Sequence, residues 1–404
     1  MTLLFATRAV RLFAYGLLSV VLVLHLSALG LPETRIGALL SMTLLGDTAV
    51  SLLLTTRADR IGRRRVLVLG AALMILAAVA FATSRGFAVL VVAATLGVIS
   101  PAGNEVGPFL AVEQAVVAQS VAPARRTAVF AWYQLTGAFA TAAGALAGGS
   151  MAAALQRGGW SALASYRAVV LGYGGLGAVL VLLFALVSQR AEAPGPARAT
   201  AGAGWRPAVG LRRSRGIVLR LSALFSVDAF AGGFVVQAFV AYWFHRRFGA
   251  DPARLGRIFF GANVLAGLSA LSAAWVARRI GLVRTMVFTH LPSNVLLLLV
   301  PAMPTLPLAV AVLFLRFSIS QMDVPTRQSY TMAVVDPDER SAAAGVTGVA
   351  RTIGTSLAPI AAGPLYASAA LGGLPFVIAG LLKIAYDVAL FAAFRRIRPP
   401  EEGG

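Results

Sequence analysis

Hydrophobic and polar positions along this chain come in long blocks, without the short alternation of strands or the one-sided striping of soluble helices. A helix needs about 20 apolar residues to cross a hydrocarbon core about 30 Å thick. Windows of that size predict twelve spans, at roughly 9–30, 36–56, 66–84, 87–119, 127–154, 166–189, 216–245, 253–276, 284–301, 305–334, 342–369 and 374–394. Leu31-Pro32-Glu33, Ser84-Arg85-Gly86, Arg247-Phe248-Gly249, Pro301 to Pro307 and Leu371-Gly372-Gly373 supply the turns between them. The first apolar run is too long for a cleavable signal and lacks a small-residue cleavage site, so it reads as a retained span. The fourth window contains ISPAGNEVGPF (99–109), in which Pro101, Gly103, Gly107 and Pro108 surround Asn104 and Glu105. The pattern places this stretch mid-helix, with the backbone loosened where the polar pair sits.

The longest polar break, 189–216, divides the spans six and six and is rich in Pro, Gly, Ala and Arg. It predicts an N-terminal bundle (1–189), a linker (190–215), a C-terminal bundle (216–394) and a short tail (395–404). The halves also echo each other. Residues 120–149 align without gaps to 334–363, with Arg126 opposite Arg340, and RADRIGRRRVLVLG (57–70) is echoed by ARRIGLVRTMVF (277–288). The expected fold is therefore an all-α membrane protein of twelve transmembrane helices in two pseudo-symmetric six-helix bundles.

Composition agrees with the pattern: 58% of residues are hydrophobic and 12% charged, and mean hydropathy is +0.82. The net charge of +20 does not indicate nucleic acid, because the arginines sit in short clusters between apolar runs. With both termini cytoplasmic, 23 arginines fall inside, Arg8 and Arg11 among them, and 8 fall outside. That asymmetry predicts both ends cytoplasmic. Arginine almost replaces lysine, Lys383 being the one exception, which points to a GC-rich bacterial genome and an inner membrane. The absence of cysteine excludes disulfides and thiolate chemistry.

Between the second and third spans the chain reads Arg57-Ala58-Asp59-Arg60-Ile61-Gly62-Arg63-Arg64-Arg65. This loop resembles motif A of the major facilitator superfamily, D-R-x-G-R-R, and with twelve spans in two repeats the resemblance extends over essentially the whole chain. Taken alone, Gly62 permits a tight turn and Asp59 can hold a cation or a helix N-terminus. The resemblance implies that Asp59, Arg60, Gly62 and Arg63 form a latch between the bundles. Arginines that only anchor the loop to the cytoplasmic side are the other reading. The chain also departs from the family. Thr55 stands where glycine is frequent, and Asn104-Glu105 stands where many drug and sugar transporters carry an arginine motif. Gly137, Gly144, Gly148 and Gly149 resemble the antiporter motif, but Ala145 replaces its proline. Ala140, Gly144 and Gly148 form a small-residue face suited to close helix packing.

Ionisable groups within spans face a cavity or a partner, because hydrocarbon exposure costs at least about 2.5–3.5 kcal/mol. Glu105, Phe109 and Glu113 share a face of the fourth span, Glu113 near enough to its end to pair with loop arginines. The seventh span holds Asp228 and Gln237, nine apart and so on opposite sides unless Gly232-Gly233 breaks the helix. Asp228 can meet a loop arginine or take part in coupling. In the tenth span Asp323 and Arg327 are an i,i+4 pair, and Arg316 needs an anion, for which Glu105 is the expected partner. A rearranging network and a permanent structural pair both fit. Asn263, His290, Asn294 and Arg351 complete the polar set, while Lys383 and Asp387, again four apart, read as a structural pair. His25 and His290 show no metal-ligand spacing, and His245 reads as interfacial.

These readings predict a secondary active transporter. Its candidate substrate and proton cavity comprises Asn104, Glu105, Asp228, Gln237, Asn263, Arg316, Asp323 and Arg327, with Glu105 first and Asp228 second as proton carrier. The expected cargo is a small organic, amphipathic compound exported against protons, from a monomer in the bilayer, without cofactor, metal or nucleic acid. No G-x-x-x-x-G-K-[ST] motif is present to support ATP-driven pumping. An uptake symporter or uniporter for a metabolite or sugar is the alternative, and a non-transporting receptor of the same fold a more distant one.

Overall fold

The computed structural model describes residues 2–105, 107–110, 112–113, 123–186, 211, 213–336 and 339–397, except the side chains at 59–60, 123–128, 130–131 and 341. The side chains of Asp59, Arg60 and Arg126 and most of the predicted linker therefore lie outside the described residues. Within them the chain is helical and has no strand. The first half gives α1 (Thr2–Ala28), α2 (Glu33–Ile61), α3 (Arg63–Thr83), α4 (Phe87–Leu96), α5 (Pro123–Arg157) and α6 (Ala162–Ala185). The second gives α7 (Arg215–Gly233), α8 (Gln237–Phe248), α9 (Pro252–Ile280), α10 (Leu282–Leu299), α11 (Leu306–Phe317), α12 (Asp323–Ala333), α13 (Arg340–Ala367) and α14 (Leu374–Phe394). Among the described residues nine segments are long and apolar enough to cross a membrane, with α7 and α8 taken together as Arg215–Phe248. Leu76, Trp132, Leu182 and Leu381 point outward, each more than half exposed. Such a surface suits hydrocarbon better than water.

Two compact units form, one from Met1–Gly204 with Val236–Phe260 and one from Trp205–Val235 with Gly261–Gly404. Sequence order assigns all of 216–394 to the second bundle, yet Val236–Phe260 groups with the first. In the first unit α1 packs against α5, α6 and α8. It is buried along nearly its whole length, as a helix apolar on every side should be. A Cβ on Gly144 would lie 2.0 Å from the Phe13 carbonyl oxygen, and one on Gly148 would lie 2.2 Å from that of Leu17. The small-residue face of α5 thus meets the α1 backbone directly. In the second unit α7 packs on α13 and α14, and α10 on α14. Leu221, Phe225, Met286, Tyr330, Tyr386 and Leu390 form its core.

The echo between the halves is visible in the loops. Gly62 alone joins α2 to α3, at φ 103° and ψ 127°, and Gly281 alone joins α9 to α10, at φ 86° and ψ 163°. Both conformations belong to glycine. Gly62→Ala is expected to lower stability by about 1–3 kcal/mol. The control Gly172→Ala, whose Cβ would meet nothing within 4 Å, should be neutral or slightly stabilising. Thermal unfolding in lipid nanodiscs distinguishes the two, and equal stability of both variants would refute the tight turn.

Three predicted spans are interrupted. The fourth is helical to Leu96, is not helical at 97–105 and 107–108, and is helical again at 109–110 and 112–113, which corrects the mid-helix placement of ISPAGNEVGPF. Pro101 and Pro108 lack the N–H donors a helix requires, and Gly103 and Gly107 adopt φ 70° and 81°. The seventh span stops at Gly233 and resumes at Gln237, so the glycine pair does break it. That break frees Val236–Phe260 to pack in the other unit. The tenth is divided into α11 and α12 across Ser318–Met322.

Candidate functional site

An interrupted span exposes backbone groups that hydrocarbon cannot satisfy, so side chains must. In the first unit Asp47, near the middle of α2, accepts a hydrogen bond from Gly107 N–H at 2.6 Å. Thr141 donates to Gly103 O at 3.3 Å, and the Tyr173 hydroxyl donates to Val98 O. Ala238 N–H, at the start of α8, donates to Pro101 O at 3.0 Å. Beside it Gln237 donates to Ser19 Oγ at 2.7 Å. Asn104 is exposed. In the second unit Tyr366 donates to Phe234 O at 3.1 Å, and Ser269 Oγ receives the Gln321 N–H at 3.2 Å. Each break is a built feature with partners for its loosened backbone.

Next to the break in the fourth span lies a buried ion cluster. Arg8 and Arg11, one helical turn apart on α1, converge on Glu105: Arg8 Nη1 meets Oε2 at 2.8 Å and Arg11 Nε meets Oε1 at 2.7 Å. Arg11 also forks onto Glu113, Nη1 to Oε1 at 2.8 Å and Nη2 to Oε2 at 2.7 Å. Thr7 and the Tyr133 hydroxyl donate to the same carboxylate. Arg8 stacks on the Tyr133 ring at 4.3 Å and Arg11 on Phe109 at 4.7 Å. Gly137 leaves room for Arg8, whose Nε would lie 2.9 Å from a Cβ there. Two guanidiniums and two carboxylates balance within one unit, with Arg11 and Glu113 fully buried. The expected Glu105–Arg316 pair is thus replaced by pairs to α1, and two arginines counted as cytoplasmic anchors are bundle ligands.

The second unit repeats the arrangement with the charges reversed. Its first span carries the acid, Asp228 on α7, and its fourth carries the base, Arg327 on α12. Arg327 Nη1 meets Asp228 Oδ2 at 3.0 Å and Asp323 Oδ2 at 3.2 Å, the latter being the pair their spacing implies. Lys383 on α14 binds Asp228 Oδ1. Asp387 pairs with His290 Nδ1 at 2.8 Å and receives Asn294 Nδ2 at 2.9 Å. Lys383 and Asp387 therefore do not pair with each other: within a packed bundle each finds a closer partner on another helix. Arg316 at the end of α11 and Arg351 on α13 each hold a buried Nε without an acceptor among the described residues. Asn263 lies on α9 in the same unit.

Asp47 was absent from the sequence-based candidates. Beyond Gly107 its only described hydrogen-bond partner is Ser51 Oγ at 3.4 Å, and among the described residues no Lys, Arg or His lies within ion-pairing distance. Its signal was in the sequence all the same, one acid in the middle of an apolar run. Of the latch residues, Gly62 makes the turn described above and Arg63 is buried at the start of α3. An apolar groove of about 440 Å³ between α3 and α4, lined by Leu73, Leu76, Val89 and Val92 among others, lacks polar anchors for a transported solute.

The family profile described as Major Facilitator Superfamily matches residues 4–359. A Saccharomyces cerevisiae relative, "Uncharacterized membrane protein YJR124C", is 31% identical over 418 aligned positions, covering 97% of this chain and 93% of that protein. Solved structures with the same fold include a bacterial homolog of the human lysosomal transporter Spinster, with TM-score 0.76, 14% identity and coverage of 98% of this chain and 96% of that one. A D-xylose-proton symporter matches with TM-score 0.75 and 16% identity, over 100% of this chain and 98% of its own.

Proposed function

This chain belongs to the Major Facilitator Superfamily and is a transporter, not an enzyme, and on that premise we propose that it exports a small organic, amphipathic compound in exchange for protons by alternating access of two bundles. The observation that carries the proton-coupled reading is the environment of Asp47. Glu105 must leave two arginines to accept a proton, and Asp228 must leave an arginine and a lysine. Asp47 can bind and release one without breaking an ion pair. Its charge is felt by Glu105, Tyr15 and Tyr173, the titratable groups that face it from the interrupted span, α1 and α6. Protonation would weaken its hold on Gly107 N–H, since hydrogen bonds to an ionised acceptor are about twice as strong as neutral ones. Gly107 lies two positions from Glu105, so proton binding at Asp47 acts beside the residue that anchors the ion cluster.

In this reading the two clusters hold the first and fourth spans of each half together through the cycle. The motif A loop, with Asp59, Arg60, Gly62 and Arg63, latches one end state. Asn104, Glu105 and Gln237 in one unit, and Asp228, Asn263, Arg316, Asp323 and Arg327 in the other, are the polar groups each offers to substrate and protons. The protein acts as a monomer in a cell inner membrane with both termini cytoplasmic.

Reconstitution in proteoliposomes with an imposed pH gradient and a panel of radiolabelled amphipathic compounds tests the assignment. Asp47→Asn should lose gradient-driven accumulation by at least about tenfold, the size of a 1.4 kcal/mol effect, while substrate exchange across the membrane persists. Gradient-driven export unchanged in Asp47→Asn would remove Asp47 as the proton site, and inward accumulation would reverse the direction.

A further inference from the structure

The cations of the second unit outnumber its available carboxylates. Asp228 is taken by Arg327 and Lys383, Asp323 by Arg327, and Asp387 by His290 and Asn294. Arg316 and Arg351 form no ion pair among the described residues, and the Nε of each is buried without an acceptor. Both lie close enough to Asp228 and Asp323 to interact with their charge, so they belong to one neighbourhood although they come from α11 and α13. Arg316 rests on the Phe317 ring, 4.9 Å from its centroid, which leaves the in-plane donors of its guanidinium uncommitted. It is also the penultimate residue of α11, beside the break of the tenth span. Counting Arg316, Arg351, Arg327 and Lys383 against Asp228, Asp323 and Asp387, the cluster has one positive charge in excess before His290 is counted. The first unit's cluster has none.

A guanidinium with a buried, unpartnered Nε and no counter-ion is an unfavourable arrangement for a protein to keep unless an anion arrives from outside. We propose that the transported compound is an organic anion and that Arg316 and Arg351 receive its negative group. This rests on the transport reading above and names the cargo's charge. The guanidinium fork suits a carboxylate, to which it can donate two parallel hydrogen bonds.

The experiment uses the full chain in lipid nanodiscs, with 2-naphthoate as probe and the neutral 2-naphthamide as its shape-matched control, read by the shift in thermal unfolding. Naphthoate should raise the unfolding temperature and naphthamide should not. Arg316→Gln and Arg351→Gln should each weaken the naphthoate response by about tenfold to a hundredfold, the range for one charged hydrogen bond. Without ligand neither variant should be less stable than the wild type, whereas Arg327→Gln, which abandons two aspartates, should be. The proposal is overturned if naphthoate and naphthamide act alike, if both variants respond as the wild type does, or if both lose stability without ligand as Arg327→Gln does. Intact naphthoate binding with no transport of any compound in proteoliposomes would refute the transport reading and leave the anion site standing. Transport confined to neutral compounds would do the reverse.

Discussion

Arg11→Met is expected to abolish transport and to lower stability by about 3–5 kcal/mol, the usual loss when one member of a buried ion pair is removed. Among the described residues Arg11 is the only side chain that touches both acids of the first cluster, binding Glu105 through Nε and Glu113 through both Nη atoms. Without it Glu113 keeps, among the described residues, only the hydroxyls of Thr7 and Tyr133, and a fully buried carboxylate is left with no described cation. Methionine fills much of the space, so the loss would be electrostatic. The double variant Arg11→Met with Glu113→Gln tests this, because it removes the stranded charge. Chemical unfolding in detergent should show more than half of the lost stability recovered, while transport stays absent. A double variant no more stable than Arg11→Met would mean that packing, not charge, holds α1 in place.

Gly144→Leu should prevent folding, or lower stability beyond the usual 1–3 kcal/mol of an overpacked core. The ground is backbone against backbone. A Cβ at this position would lie 2.0 Å from Phe13 O and 2.9 Å from Leu17 N, and α1 is enclosed by α5, α6 and α8 with nowhere to retreat. Displacing α1 would also pull Arg8 and Arg11 from their carboxylates, so the damage reaches the ion cluster. Gly175→Leu on α6, where a Cβ meets nothing within 4 Å, is the matched control and should express and unfold like the wild type. Yield of monodisperse protein and thermal unfolding report both, and a stable Gly144→Leu protein would contradict the close approach of α1 and α5.

The errors of the sequence reading have physical causes. Arg8 and Arg11 were counted as cytoplasmic anchors because they flank the start of the apolar window at 9; the helix starts at Thr2, which carries both inside it. Their spacing of three, on one helix face, was a usable signal, but nothing in a linear pattern says which cation faces which acid. Glu105 was matched to Arg316 on the assumption that the fourth and tenth spans supply each other's counter-charges. Glu105 is instead satisfied within its own half, by Arg8 and Arg11 on α1. Lys383 and Asp387 were paired by the i,i+4 rule, which describes exposed helices. Inside a bundle, neighbouring helices compete for the same charges at shorter range. The interruption after Leu96 was read from its prolines and glycines as a looseness within a helix. Its extent follows from the groups that hold it: Asp47, Thr141, Tyr173 and the Ala238 N–H.

The sequence by itself determined that this is a helical membrane protein with two related halves, roughly where most of its spans lie, and that Gly62 turns the chain between α2 and α3. Those properties depend on hydrophobic length and on backbone allowances, which are local quantities readable from residues near one another in the chain. Only the tertiary structure decided that Glu105 belongs to Arg8 and Arg11, that Asp228 belongs to Arg327 and Lys383, and that, among the described residues, Asp47 stands without a cation and the Nε of Arg316 and of Arg351 without an acceptor. Such pairings depend on distances of 3–4 Å between residues up to about a hundred and fifty positions apart, and charge alone, without geometry, leaves many pairings equally plausible.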